Sequence, residues 1–291
     1  MKIDSTFVGM PLKEYKMTAD WRWTMNYAAA VDDGNPRYFD DGEGKKVIAP
    51  PLFAVAVTWP VSERIWEYIE DEKFPREILQ TQVHYTEHLA FHRPVMPGDA
   101  LTVKGRIAAI MPHRAGTVTV IRFDALDASG APVFTEHIGA MMRGVECDGP
   151  ARGEGDLPVV PGIEEPAEPL WEHAVRIDRM RPFVYDGCTN IYFPIHTSVG
   201  FARLVGLPGI ILQGTATLAY AARELTDAEA GGDPLRLRAI SCRFTDMVVP
   251  PGEIRIRLTG RKKTDNGTDL FFSVMNDKDR RVLSGGYARI E

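Results

Sequence analysis

Two short stretches carry side chains suited to proton transfer, and they are versions of one pattern. The first reads Asp33-Gly34-Asn35-Pro36-Arg37-Tyr38-Phe39-Asp40 and the second Ile191-Tyr192-Phe193-Pro194-Ile195-His196-Thr197-Ser198. Aligning Pro36 with Pro194 gives an offset of 194 − 36 = 158. A second pair, Val95-Met96-Pro97-Gly98-Asp99-Ala100-Leu101 and Val249-Pro250-Pro251-Gly252-Glu253-Ile254-Arg255, repeats at 251 − 97 = 154. Two landmarks in the same order at nearly the same distance indicate an internal duplication. The copies keep different chemical halves. The first has the carboxylate of Asp33 and the amide of Asn35, but Tyr38 stands where the second has the imidazole of His196. Carboxylates and imidazoles are the usual carriers of protons near neutral pH. Asp, Gly, Asn and Pro together also make turns with no chemical purpose, which is the plainer reading of Asp33 and Asn35.

Other chemistry-bearing residues are weaker candidates. His84, His88 and His92 recur every four residues. On a helix they would share a face and suggest a metal. The surrounding residues 80–91 read as a strand, where even spacing also gives one face but spreads the three over about 26 Å, too far for one ion. No metal site is expected. Cys188 lies beside the second motif, but no base is placed next to it for a thiolate mechanism.

The elements that must position these groups occur in the same order twice. Residues 20–31 read as a helix with Thr18 or Asp20 as its cap, residues 32–46 as a turn-rich loop, and residues 51–69 as a buried helix broken near Pro60. Strands follow at 80–91, 100–110, 116–126 and 132–142. The second half has a short strand at 172–177, a helix from about Arg181, the motif loop, and a helix at 214–225. Strands at 235–244, 254–260, 270–274 and 282–290 complete it. Between the halves lies a proline-rich acidic stretch that includes Glu164-Glu165-Pro166-Ala167-Glu168, read as a solvated linker. The expected division is 1–146, linker 147–170, and 171–291. One helix wrapped by a curved antiparallel sheet, done twice, is an α+β architecture in which the two units join sheet edges.

The chain has 291 residues, with 44% hydrophobic and 25% charged. Its net charge is 34 − 40 = −6, which speaks against nucleic acid as a ligand. Three scattered cysteines and an N-terminus without an apolar core point to a reduced, cytoplasmic protein, and no apolar stretch is long enough to span a membrane.

Pro194-Ile195-His196, followed by Ala202-Arg203-Leu204-Val205-Gly206-Leu207-Pro208-Gly209-Ile210-Ile211-Leu212-Gln213-Gly214, resembles the MaoC-like hydratases of the R-specific enoyl-CoA hydratase 2 group. Their motif has the form Gly-Asp-x-Asn-Pro-(Ile/Leu)-His-x-Asp, with a His-Gly pair downstream. The N-terminal copy and Arg93-Pro94-Val95-Met96-Pro97-Gly98-Asp99 resemble the degenerate first domain of two-domain members. The resemblance implies a double hotdog fold, an acyl-CoA substrate and reversible addition of water to a trans-2-enoyl thioester. It implies no metal or redox cofactor, and a further homodimer is expected. His196 falls on the family's catalytic histidine, Ile191 on its aspartate, Phe193 on its asparagine and Ser198 on its final aspartate. Gln213 replaces the second histidine, while Gly214 is kept as an oxyanion donor or a side-chain-free helix entry. Asp186 and Thr189, just upstream, are candidates for the missing acid/base role. Gln213, Tyr192 and Phe193 are candidates for substrate binding, with Phe201 extending an aromatic pocket. Asp33, Asn35 and Tyr38 form the degenerate N-terminal motif, which is expected to lie apart from His196. Two other functions stay open: acyl-CoA binding without turnover, and thioester hydrolysis.

Overall fold

The computed structural model describes every residue except 165 and 167, so those two positions of the acidic linker run lie outside the description. The N-terminal unit begins with β1 (Lys2–Asp4) and β2 (Tyr15–Thr18), then α1 (Trp21–Ala30), α2 (Phe53–Glu63) and α3 (Ile65–Tyr68). It continues through β3 (Gln82–Phe91), β4 (Ala100–His113), β5 (Gly116–Leu126), β6 (Pro132–Arg143), β7 (Glu146–Asp148) and β8 (Arg152–Gly153). The C-terminal unit comprises β9 (Trp171–Ile177), α4 (Arg181–Thr189), α5 (Val199–Leu204), α6 (Gly214–Glu229), β10 (Leu237–Phe244), β11 (Gly252–Thr264), β12 (Gly267–Asn276) and β13 (Arg281–Ile290).

The sheet order is its own mirror image. It runs β2-β4-β5-β6-β3-β10-β13-β12-β11-β9, so each strand along this path has a counterpart in the other unit, while β1, β7 and β8 belong to the N-terminal unit alone. The units join where β3 and β10 pair antiparallel, from Ala90↔Ala239 to Thr86↔Arg243. This removes one exposed edge from each sheet. The helices obey the same relation. Tyr27 on α1 and Tyr185 on α4, separated by 185 − 27 = 158, meet hydroxyl to hydroxyl at 3.0 Å. Asp32 (φ 51°) and Asn190 (φ 58°), also 158 apart, each take the left-handed conformation just before their motif. Asp and Asn tolerate that conformation better than most residues. The duplication read from two short patterns is therefore carried by the backbone itself.

Local signals explain most boundaries. Asp20 Oδ1 accepts the Trp23 N–H at 2.9 Å and starts α1, whereas Thr18 ends β2. The α2 helix is buried along most of its length, from Phe53 to Thr58 and again at Val61, because the sheet wraps it.

Three expectations are corrected. Pro60 itself lies inside α2, and the break expected near it falls one turn later, at Arg64 (ψ 39°), between α2 and α3. The start of the linker is not irregular, because Glu146–Asp148 pairs parallel with Lys2–Asp4 and Arg152–Gly153 pairs with β4. The histidines of β3 do not share a face. A register shift between His84 and Thr86 turns His84 inward, while His88 lies opposite His137 on the other face with ring centroids 6.1 Å apart. His92 lies beyond the strand and bonds Thr135 at 3.1 Å.

Candidate active site

The second motif forms a one-turn 3-10 helix, Pro194–His196, hung between α4 and α5. The His196 N–H bonds the Phe193 carbonyl at 3.0 Å, and Ile211 N–H bonds Ile195 O at 3.3 Å, which ties the loop to the strand-like approach to α6. His196 Nδ1 lies 2.8 Å from the Ile211 carbonyl oxygen. A carbonyl only accepts, so Nδ1 carries the proton and Nε2 carries the lone pair. Burial pushes the His196 pKa down to about 4, against a smaller opposing effect of the Ile211 hydrogen bond. The ring is therefore neutral at pH 7, with a basic nitrogen free to act.

The α6 helix begins two residues after Leu212. A Cβ at Gly214 would sit 2.8 Å from Phe244 Cδ1 and 2.9 Å from Cε1, so the aromatic ring of β10 excludes any side chain at the helix entry. The helix N-terminus thus presents bare backbone N–H groups with the positive end of the helix dipole behind them. Gln213 is 2% exposed. Its Nε2 donates to the Pro182 carbonyl at 3.0 Å, and its Oε1 is buried with no partner among the described residues. The amide is held by α4, so its role at this end is at least partly structural.

Other candidates are placed differently. Ile191 is 2% exposed, a core residue where the motif has its aspartate. Thr189 is fully buried. Its hydroxyl donates to Tyr185 O at 2.5 Å and accepts Ile191 N–H at 3.1 Å, so it terminates α4 and has no hydrogen left for a substrate. Asp186 on α4 keeps one oxygen, Oδ2, buried and unpartnered, and burial raises its pKa. Tyr192 and Phe193 are 48% and 43% exposed. Phe193 packs edge-on against Phe201 at 6.0 Å, so these rings sit at the surface beside the motif rather than lining an enclosed pocket.

The first motif lies elsewhere. Asp33 shares a pocket with Tyr27, Tyr38, Ala219, Arg223 and Thr226, facing the far half of α6. From Gly214 to Arg223 that helix rises about 14 Å, so Asp33 and His196 do not meet in one site. Asp33 is 8% exposed and Tyr38 2%. Burial, reinforced by Asp227, lifts the Asp33 pKa to about 6. Asn35 is a structural bridge: its Nδ2 donates to Gly232 O at 2.7 Å, and its Oδ1 accepts Arg37 N–H at 3.0 Å.

Two features had no sequence signal. His84 packs against Phe244 with centroids 4.4 Å apart and the rings tilted by 53°, and its Nε2 is 3.1 Å from Glu87 Oε2. Glu87 and Glu136 then lie together in the N-terminal core, near Thr58, at 1% and 0% exposure. Burial raises both carboxyls, Glu87 to about 8, so the pair holds a proton at neutral pH. The sequence placed these residues on strands, but only the pairing across the unit boundary brings β3 against β10.

Comparison with known proteins bears on the fold and the family. Residues 168–275 match the MaoC like domain, and residues 6–136 match the FAS1-like dehydratase domain region. A UPF0336 protein of Streptomyces avermitilis is 30% identical over 154 residues, spanning 50% of this chain and 99% of that one. The "Probable enoyl-CoA hydratase 2" of Dictyostelium discoideum is 28% identical over 268 residues, 91% of this chain and 88% of the relative. Fungal fatty acid synthase beta subunits match over 35% of the chain, which spans only 5% of their length. The crystal structure of a MaoC-like dehydratase from Phytophthora capsici superposes with a TM-score of 0.83 at 21% identity, covering 98% of this chain and 97% of that one. With the C-terminal half matched to the MaoC like domain, the N-terminal half to the FAS1-like dehydratase domain region, and the whole fold shared with a MaoC-like dehydratase, the chain belongs to the MaoC-like dehydratase family.

Proposed function

We propose that the protein is an acyl-CoA hydratase/dehydratase that adds water reversibly across a trans-2-enoyl thioester, with His196 as its acid/base. The observation that carries this reading is the His196–Ile211 hydrogen bond, which leaves Nε2 unprotonated beside the entry of α6. In the hydration direction, Nε2 takes a proton from water as the water oxygen bonds to C3. The C2–C3 π pair moves toward the thioester, and enolate charge on its oxygen is stabilised by the Gly214 N–H. The imidazolium then returns the proton to C2, so the enzyme ends as it began. Ile191 cannot accept a proton, so Asp186, with one unpartnered oxygen, is the group proposed to hold the water. Thr189 is withdrawn from that role because both sides of its hydroxyl are used.

A second reading, acyl-CoA binding without turnover, is favoured by the burial of Ile191 where a carboxylate would act. A spectrophotometric hydration assay separates the two. Purified protein and His196→Ala are mixed with short, branched, aromatic and dicarboxylic trans-2-enoyl-CoAs, and loss of enoyl absorbance is followed. The hydratase reading expects turnover that falls at least about 10²-fold in the variant. Equal rates in both proteins remove His196 from the chemistry, and saturable binding with no turnover selects the second reading.

A further inference from the structure

The helices α2 and α6 occupy matching places in the two units, yet they start differently. The Ala49 N–H bonds Val95 O at 2.8 Å, and the Leu212 N–H bonds Val248 O at 2.9 Å, so the two approaches correspond with Ala49 opposite Leu212. Two residues on, Pro51 corresponds to Gly214, and Leu52 to Thr215. Proline has no N–H, so the start of α2 lacks the backbone donor that Gly214 supplies. Leucine has no hydroxyl, so Tyr27 of α1 finds no polar partner there.

Tyr185 of α4, the counterpart of Tyr27, does find one. Its hydroxyl donates to Thr215 Oγ1 at 3.1 Å. With that hydrogen committed, the 3.0 Å contact between the two phenols has Tyr27 as donor and Tyr185 as acceptor. A directed chain of hydroxyls therefore runs from α1 through α4 to the second residue of α6. Tyr27 and Tyr185 are fully buried and Thr215 nearly so, which keeps water from competing for these bonds. A phenylalanine at position 27 would pack edge-on against Phe53 and Tyr185 as the tyrosine ring does, without the cost of burying a hydroxyl.

The helices along this chain are tied to one another elsewhere as well. Trp23 Nε1 donates to Thr189 O at 2.8 Å, and Arg181 Nη1 donates to Ala30 O at 3.0 Å, so α1 and α4 hold each other's C-terminal ends. The α4 helix grips the start of α6 twice, at Thr215 and through the Gln213 amide on Pro182 O. The entry of α6 is thus placed by α4, and α4 by the N-terminal unit. An oxyanion donor acts only where its N–H meets the developing charge, and small displacements are costly. We propose that Tyr27 is a positioning residue for the reaction of the C-terminal unit: through Tyr185 and Thr215 it fixes where the Gly214 N–H stands relative to His196 Nε2. This role rests on the hydratase reading of that unit.

The test compares the full chain with Tyr27→Phe, Tyr185→Phe and the double variant, measuring kcat and KM on the trans-2-enoyl-CoA that the parent hydrates fastest. Tyr27→Phe is expected to lower kcat about tenfold, the size of one lost buried hydrogen bond, with KM changed by less than about twofold. Tyr185→Phe should lower kcat at least as much. Adding Tyr27→Phe to it should cost nothing more, because Tyr27 acts only through Tyr185. Thr215→Ser should keep the parent's kcat while Thr215→Val loses about tenfold, a pair that covers a Tyr185→Phe chain that fails to fold. A second readout needs no turnover. Bound p-dimethylaminocinnamoyl-CoA absorbs further to the red when its carbonyl is polarised, and Tyr27→Phe should shrink that shift at unchanged affinity. An active parent whose kcat and red shift are untouched by Tyr27→Phe overturns this role and leaves the hydratase reading standing. Additive losses in the double variant, or equal losses in Thr215→Ser and Thr215→Val, also overturn it. A parent with neither turnover nor red shift removes the hydratase reading, and this role with it.

Discussion

The two motif loops share a backbone and differ in almost everything that backbone presents. Each follows a short helix and a left-handed residue and closes in a one-turn 3-10 helix, Pro36–Tyr38 in one case and Pro194–His196 in the other. In the first, the carboxylate of Asp33 is buried against the far half of α6 and Asn35 bridges to Gly232. In the second, the aspartate position is an apolar core residue, and the imidazole is fixed by a carbonyl beside the start of α6. Duplication preserved the turn because turn geometry depends on Pro and one tolerant residue before it. The side chains diverged because each loop faces a different part of the same helix.

The sharpest way to break this comparison is His196→Ala, with an expected loss of at least about 10²-fold in hydration rate while Tyr38→Phe leaves that rate within twofold or so. A large effect of Tyr38→Phe on hydration would mean that the loops work together. Next comes pH. Rate should hold down to about pH 5 and fall only as His196 is protonated near 4, whereas an ordinary histidine would have lost most of its base form by pH 5. An acid limb centred at 6.5 would show that the ring is not buried in the working enzyme.

Gly214→Ala should cost about 1–3 kcal/mol of stability through the clash with Phe244 and also reduce rate, whereas the double variant with Phe244→Leu should recover part of the stability. A neutral Gly214→Ala would place the ring elsewhere. The smallest effect concerns the buried carboxyls, which the C-terminal unit lacks at the matching strand centre. Glu87 has its pKa raised to about 8 in the folded state, so between pH 4.5 and 8 the unfolded chain releases a proton that the folded one keeps. Stability from this group is therefore lost as pH rises through that window. Glu87→Gln should raise the melting temperature more at pH 8 than at pH 5, and an equal shift at both would mean that the carboxyl is ionised in the fold.

Much of this was legible from particular residues. The 158-residue spacing of Pro36 and Pro194 reappears in the Tyr27–Tyr185 contact and in the paired left-handed residues. Asp20 announced a helix start, and alternation announced most strands. What escaped was set by other parts of the chain. A register shift after His84 reversed the face that even spacing assigns, and no local pattern encodes it. Thr189, a plausible acid/base by type and position, is consumed by ending its own helix. Tyr192 and Phe193 have aromatic character that reads as a pocket, yet they stand half-exposed beside the motif.

The sequence by itself determined the duplication, the α+β class, the helix and strand order and the residue types available for proton transfer, because these follow from local periodicity and turn chemistry. The tertiary structure alone decided which nitrogen of His196 is free, that Gly214 is forced by the ring of Phe244, and that Asp33 faces a pocket rather than solvent. Each of these depends on an atom brought from a distant strand or helix, and neither spacing nor composition records such an approach.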